Sequence, residues 1–466
     1  MFIRLLKYKS PLFWVGFHVL LGILAALTPY PLIGYFYFAL GSAVWLLFKR
    51  SRKARQPLIA SNKNNLLAPL LAYFTSFELL ARMAKTSPFL PWELGKYLLF
   101  FLLIIGIISG RKSSKTGALL VVLLIPALLY DLSGLVTFQD LRFNLMGPIS
   151  LGLAVWFFSG KRFTPQGLGR LLTVMLLPLI SALAYTLFRS PDLDSYEFNL
   201  LGNAALSGGF GPNQVSTAFG LGTFLSFYMW LNRMTLTGKR WLDLGIVLAF
   251  TFQGLFSFSR GGMLGGILGI LVVLYFTFFG SDKSIISHLM VKRIKRYLPW
   301  AVVALLIAIF SANMITDGKL LLRYQGETPG TLSGQRERTL NTMTTDRIAV
   351  MQGDIALFAD HLAFGVGVGA SKYLRPYRPG LVAHTETTRL LADHGILGVA
   401  YILCIIYLII HVYKSPNERQ FKALLLGFIL IGWYTTFHAA TRTYITPLLI
   451  GLSLIYIRHA RPSLPG

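Results

Sequence analysis

Runs of about 20 apolar residues, parted by short polar connections, recur from one end of this 466-residue chain to the other. Each run is long enough to cross ~30 Å of hydrocarbon as a helix. The chain is 54% hydrophobic and only 13% charged, whereas a soluble domain is about a quarter charged. These features give an all-α polytopic membrane protein. The runs centre near residues 20, 40, 74, 100, 127, 151, 178, 222, 250, 271, 306, 404, 431 and 450. That is about fourteen spans, with twelve also compatible. The first run, Pro11 to Leu27, follows Arg4, Lys7 and Lys9, but no small-residue cleavage site closes it, so it reads as an uncleaved span.

A net charge of +26 would suggest nucleic acid in a soluble protein. Here the cations collect in alternate connections: Lys49 to Lys63, Arg111 to Lys115, Lys161 to Arg170, Arg233 to Arg240, Lys283 to Arg296, and Lys414 to Lys422. This is the positive-inside pattern, so both termini are expected in the cytoplasm and no nucleic-acid partner is expected. The opposite connections are poorer in cations. Asp192, Asp194 and Glu197 outweigh Arg189 in one, and the longest, 316–394, is nearly balanced. The single cysteine, Cys404, lies inside an apolar run and forms no intramolecular disulfide.

Between Leu244 and Ser281 the only ionisable side chain is Arg260, in "LFSFSRGGMLGG". As one helix that stretch would run roughly 55 Å, too long for a single crossing. It must be two spans, and the glycine pair of "SRGG" is the expected break. Alternation puts the break outside, with Arg260 at headgroup depth. There it is either a snorkelling anchor or part of an anion site reinforced by backbone N–H groups of Gly261 and Gly262 at a helix start.

The outer segment 316–394 is large enough for structure of its own. A polar strip, Tyr324 to Asp346, is expected to be mobile. In "DRIAVMQGDIALFADH", Ile348, Met351, Ile355 and Phe358 recur at helical spacing, with Thr344 or Thr345 as cap, which predicts an amphipathic surface helix. "FGVGVGASKY" is glycine-rich, but it lacks the Gly-Lys-Ser/Thr ending and a preceding strand, so it reads as a compact turn, not a nucleotide loop. "LVAHTETTRLLADHGILG" comes next, with His384 just before a short helix and Arg389, a possible glycan or phosphate contact, within it. A loop histidine near membrane re-entry can serve as a base, although most do nothing of the kind. No histidine has metal-ligand spacing, and neither a metal nor a cofactor is expected. "GFGPNQVS" opens another span with Asn213, which together with Ser259 is a possible glycan or phosphate contact, while Gln214 reads as an ordinary helix start. Arg442 sits at the turn between the last two spans. The chain divides into N-terminal spans (1–199), spans with the SRGG junction (200–315), the outer loop with amphipathic helices (316–394), and three C-terminal spans with a tail (395–466).

Four of these features together resemble the O-antigen ligase and polymerase superfamily of the bacterial inner membrane. They are "FSRGG" at a span junction, the Arg-led helix followed by a glycine-rich turn in "DRIAVMQGDIALFADHLAFGVGVG", the spacing of "HTETTRLLADHGILG", and a large outer loop followed by three spans. The resemblance covers roughly 200–445. Thr385 stands where the family usually has Asn, Ser or Gln, and the span count exceeds the usual twelve by two. The resemblance implies a periplasmic site that moves a glycan from undecaprenyl diphosphate to an acceptor hydroxyl on a lipid or another glycan. It implies His384 as base, a pKa near neutrality for it, and Arg260, Arg347 and Arg442 holding the diphosphate. A polymerase of the same superfamily uses the same chemistry. A transporter of lipid-linked sugars would need mid-span polar groups or an internal repeat. Glu78, Glu93 and Asp131 are the few candidates, and no repeat is evident.

Overall fold

The computed structural model describes residues 11–54, 67–91, 93–109, 114–193, 195–279 and 285–458. Several basic connections (55–66, 110–113 and 280–284) and Asp194 lie outside these. The described chain is mostly helical, with almost no strand. The N-terminal half carries α1 (Pro11–Leu27), α2 (Tyr30–Ala54), α3 (Leu67–Thr75), α4 (Glu78–Met83), α5 (Leu94–Ile108), α6 (Lys115–Val122), α7 (Phe138–Phe158) and α8 (Pro165–Arg189). Next come α9 (Pro212–Leu231), α10 (Arg240–Phe256), α11 (Arg260–Phe278) and α12 (Ile285–Ile315). The segment after α12 folds into α13 (Lys319–Tyr324), α14 (Pro329–Leu332), α15 (Leu340–Met343), α16 (Arg347–Asp360), α17 (Ser371–Leu374) and α18 (Glu386–His394). Helices α19 (Ile396–Tyr413), α20 (Arg419–His438) and α21 (Ile445–Leu452) complete the bundle. Two-residue strands β1 (Arg162–Phe163) and β2 (Tyr456–Ile457) pair in parallel.

Among the described residues, six helices are long and apolar enough to cross a membrane: α7, α8, α11, the Lys295–Ile315 part of α12, α19 and α20. The most apolar window of α12 is only 6% buried, with Trp300, Leu306, Ile307 and Phe310 facing outward. An exposed apolar surface of that extent is stable in lipid and not in water. Three expected spans take other forms. The run near residue 74 is split into α3 and α4, where Thr75 and Ser76 hydroxyls donate back to the Leu71 and Ala72 carbonyls at 2.8 and 2.7 Å, a pattern that bends helices. The run near 127 stops as α6 and passes into a short 3-10 turn at Pro126. The last run forms the eight-residue α21.

Helix α11 is packed between α9 and α20. The SRGG glycines are not the break between α10 and α11. Ser257, Phe258 and Ser259 are, while Arg260 is the first residue of α11 and both glycines lie inside it. Phe258 turns the chain at φ +53°, with its ring fully buried and stacked on Phe198. The glycines allow close approach instead. A β-carbon on Gly262 would lie 2.1 Å from the α9 backbone at Ser216 and Thr217, and one on Gly261 would lie 2.5 Å from the His438 ring. They set the distance between Arg260 and the ends of α9 and α20.

Candidate functional site

One end of the bundle gathers the start of α9, the start of α11, the end of α20 and the 316–394 segment. At the α9–α11 contact, Ser216 Oγ donates to Ser259 Oγ at 2.9 Å, and Ser259 Oγ donates to Asn213 Oδ1 at 2.8 Å. Asn213 and Ser259 are therefore committed to each other, and Ser259 gives no side-chain cap to α11. His438, at the end of α20, lies 3.1 Å from Thr217 Oγ1 through Nε2. Arg260 extends from the first turn of α11 and donates to the Met343 carbonyl at 2.6 Å, which ties the bundle to the polar strip.

That strip, expected to be mobile, forms the short helices α14 and α15, each with a reciprocal Thr–Thr capping box. The amphipathic helix appears as α16, but its details differ from the sequence expectation. Its cap position is Asp346 in left-handed geometry at φ 62°, and neither Thr344 nor Thr345 caps it. Asn341 Oδ1 supplies the capping acceptor by taking the Ala349 N–H at 3.0 Å. The buried stripe is Val350, Gly353, Asp354 and Leu357, and Ile355 of the expected stripe is exposed. Hydropathy counting passes over Asp354 because a lone buried carboxylate is costly. Here it has partners: Arg375 Nε is 3.4 Å from Oδ1 and the Thr388 hydroxyl donates to Oδ2 at 3.0 Å.

The glycine-rich turn wraps the end of α18. Gly365, Gly367 and Gly369 all have positive φ, and a β-carbon on Gly365 would lie 2.4 Å from the Ala392 carbonyl oxygen. The Gly369 and Ser371 N–H groups donate to the Asp393 carboxylate at 3.0 and 3.3 Å. The turn thus cradles an internal anion. Arg389 belongs to the same network, paired with Glu386 and Asp393 and donating to the Asn144 carbonyl at 2.9 Å. It is 5% exposed, so the expected glycan or phosphate contact by Arg389 is not available: its guanidinium holds α18 to α7.

His384 is fixed by bonds to the turn between α20 and α21. Its carbonyl accepts from Ala440 N at 3.0 Å, Glu386 accepts from Thr441 N at 3.2 Å, and Arg442 Nη2 donates to the Ala383 carbonyl at 2.7 Å. These bonds clip 383–386 to 440–442 and bring His384 and Arg442 together. Burial, then the charges of Arg442, Arg347 and His438, push the His384 pKa down to about 3. This corrects the expectation of a value near neutrality: the ring is neutral across the physiological range and, without an anion beside it, is a weak base. Its Nδ1 is buried with no hydrogen-bond partner.

The same electrostatics join the arginines. Burial, then Arg260, lowers the pKa of Arg347. Arg442 is brought down to about 10, mainly by burial; the Glu386 carboxylate opposes the fall and Arg347 adds to it. Arg323 is also lowered to about 10, by burial and then by Arg260 and Arg347. All three remain cationic at neutral pH. Arg323, on α13, was missed by the sequence reading. Its only signal is a guanidinium within "KLLLRYQ" directly after an apolar run, and its Nε donates to the Phe258 carbonyl at 3.3 Å. Among the described residues none of Arg260, Arg323, Arg347 and Arg442 forms an ion pair. Arg323 Nη1, Arg347 Nε and Arg442 Nε are buried without a hydrogen-bond partner. Arg260, Arg347 and His384, far apart along the chain, thus converge with Arg323 and Arg442. No group of His, Cys, Asp or Glu among the described residues is arranged to hold a metal.

An apolar track leaves this end. Leu264, Ile267, Leu271 and Tyr275 are exposed on α11, at spacings that put them on one face with Arg260. Leu271 and Tyr275, roughly 16–22 Å along the helix from Arg260, line a groove of about 470 Å³ whose other walls include Ile409, Tyr413 and Leu430. No family model matches this chain, and no match is found among curated proteins.

Proposed function

We propose that this protein is a lipid-linked glycan transferase of a bacterial inner membrane, of the O-antigen ligase type, with its site on the periplasmic face. The observation that carries the reading is the group of four buried or half-buried arginines, none of them paired with a carboxylate. Guanidinium groups so placed cost desolvation and mutual repulsion unless an anion completes them. A diphosphate supplies two adjacent anionic groups suited to bidentate contacts. The track along α11 supports a carrier with a long hydrocarbon chain, because it runs from Arg260 into an apolar groove.

In this reading the acceptor hydroxyl attacks the anomeric carbon of the glycan. The carbon–oxygen bond to phosphate breaks as the new bond to the acceptor oxygen forms, and the electron pair leaves with undecaprenyl diphosphate. The arginines hold that developing charge, and His384 takes the hydroxyl proton. The anion also answers the low pKa of His384. It offsets the Arg442 and Arg347 charges, which lower the ring's pKa after burial has done so, and thereby restores part of its basicity when donor is bound. Ligase and polymerase differ in the acceptor alone; the spacing of His384 before Gly395 and Gly398 favours the ligase.

The test is glycan transfer in proteoliposomes supplied with lipid-linked oligosaccharide and acceptor extracted from the producing strain. His384→Ala is expected to remove transfer while the protein stays folded. Retained transfer would remove the base from the mechanism.

A further inference from the structure

Beside the cation cluster lies a second cavity that the transfer reading leaves unused. A cleft of about 700 Å³ opens between Ser87, Pro91, Glu93 and Tyr97, the start of α7 and Val382, a size that suits organic ligands. Its walls include Tyr97, Phe143, Glu93, Asp140, Arg142 and Gln139. The charges there are matched, unlike those of the arginine cluster: Arg82, also in the wall, pairs with Glu78 behind it. Arg142 Nη2 is 3.5 Å from Glu93 Oε2, and Tyr97 Oη donates to the same oxygen at 3.1 Å. Lys372 and the hydroxyls of Tyr373 and Thr137 donate to Asp140 at 3.2, 2.8 and 2.7 Å. Such a cleft offers little net field to an ion. It offers oriented carboxylate lone pairs and aromatic rings, the complement of vicinal hydroxyls and an apolar ring face.

The cleft also adjoins the reaction site. Val382 lines it two residues before His384. The Arg442 guanidinium lies 5.8 Å from the centre of the Phe143 ring and donates to Ala383 on its other flank. We infer that this cleft binds neutral sugar residues of the glycan acceptor, holding it against the wall that carries His384 and Arg442. That the bound sugar is the acceptor rests on the transfer reading; the sugar-binding site does not.

Gln139 is exposed and makes no side-chain hydrogen bond in the cleft, so a photoreactive benzoylphenylalanine can replace it without loss of a contact. Full-length protein carrying this residue would be irradiated in membranes of the producing strain and its peptides sequenced by mass spectrometry. The expected adduct carries hexose-type fragment ions, falls at least fivefold when Asp140→Asn and Glu93→Gln are added, and persists when His384→Ala is added. Adducts only of fatty acyl chains or protein, or no adduct above a probe on lipid-facing Leu306, would overturn the inference. A sugar adduct in a protein that fails the transfer assay would leave the cleft standing and remove the transferase.

Discussion

Two groups of buried charge lie at one end of the helical bundle, and they are built on opposite rules. Around α18, Arg389 meets Glu386 and Asp393, and Arg375 meets Asp354. At the same end of the bundle, Arg260, Arg323 and Arg442 donate only to carbonyls among the described residues, Arg347 Nε has no hydrogen-bond partner, and the four act on one another and on two histidines. Cations matched by the chain's own carboxylates fix a scaffold. Cations left unmatched at the end of an apolar bundle describe the shape and charge of something that comes and goes. The glycine-rich turn obeys the first rule, since its N–H groups already hold Asp393.

The contrast predicts different kinds of failure on the two sides. The largest effect is expected from Arg389→Ala. Leaving Asp393 and Glu386 without their partner should cost about 3–5 kcal/mol, read as a loss of folded protein in detergent thermal melts. A melt unchanged by that variant would erase the distinction. His384→Ala should leave the melt within about 0.5 kcal/mol and lower transfer by ~100-fold or more. Arg260→Lys replaces a planar fork with a point charge and is expected to lose roughly tenfold in donor affinity, with the fold retained. A wild-type rate there would make Arg260 an anchor.

The pH dependence sharpens the comparison further. His384 has a folded pKa of about 3 against an ordinary 6.5, so the unfolded chain takes up the proton first. Its contribution to stability is complete above pH 6.5 and is lost as pH falls from 6.5 toward 3. Histidine-labelled NMR should place the His384 midpoint near 3 and move it upward when inorganic diphosphate is added. A midpoint indifferent to diphosphate would separate the ring from the arginines. The smallest effect is expected for Arg347→Gln without ligand. Removing one of several like charges should leave stability unchanged or slightly raised.

The helical character and a break just before Arg260 were legible because apolar run length and helix rise leave few alternatives. The Arg-led helix was legible in extent but not in orientation. Its buried stripe passes through Asp354, and a carboxylate reads as solvent-facing until Arg375, 21 positions later, is seen to cover it. The role of the glycine pair was misread for a similar reason. Nothing local to Gly261 and Gly262 announces that His438 and Ser216 press against them. Arg323 was invisible because its meaning comes from Arg260 and Arg347, neither of which is near it in sequence. The four-residue spacing of Arg389 and Asp393, one helical turn apart, did hold their pairing.

The most direct measurement is undecaprenyl diphosphate binding to the full-length protein in nanodiscs, read by native mass spectrometry. Wild-type protein should bind it, and Arg260→Gln, Arg323→Gln, Arg347→Gln and Arg442→Gln should each weaken it by roughly tenfold, as the loss of one charge-assisted contact implies. Equal binding by all four variants and the wild type would contradict a diphosphate site built from these arginines.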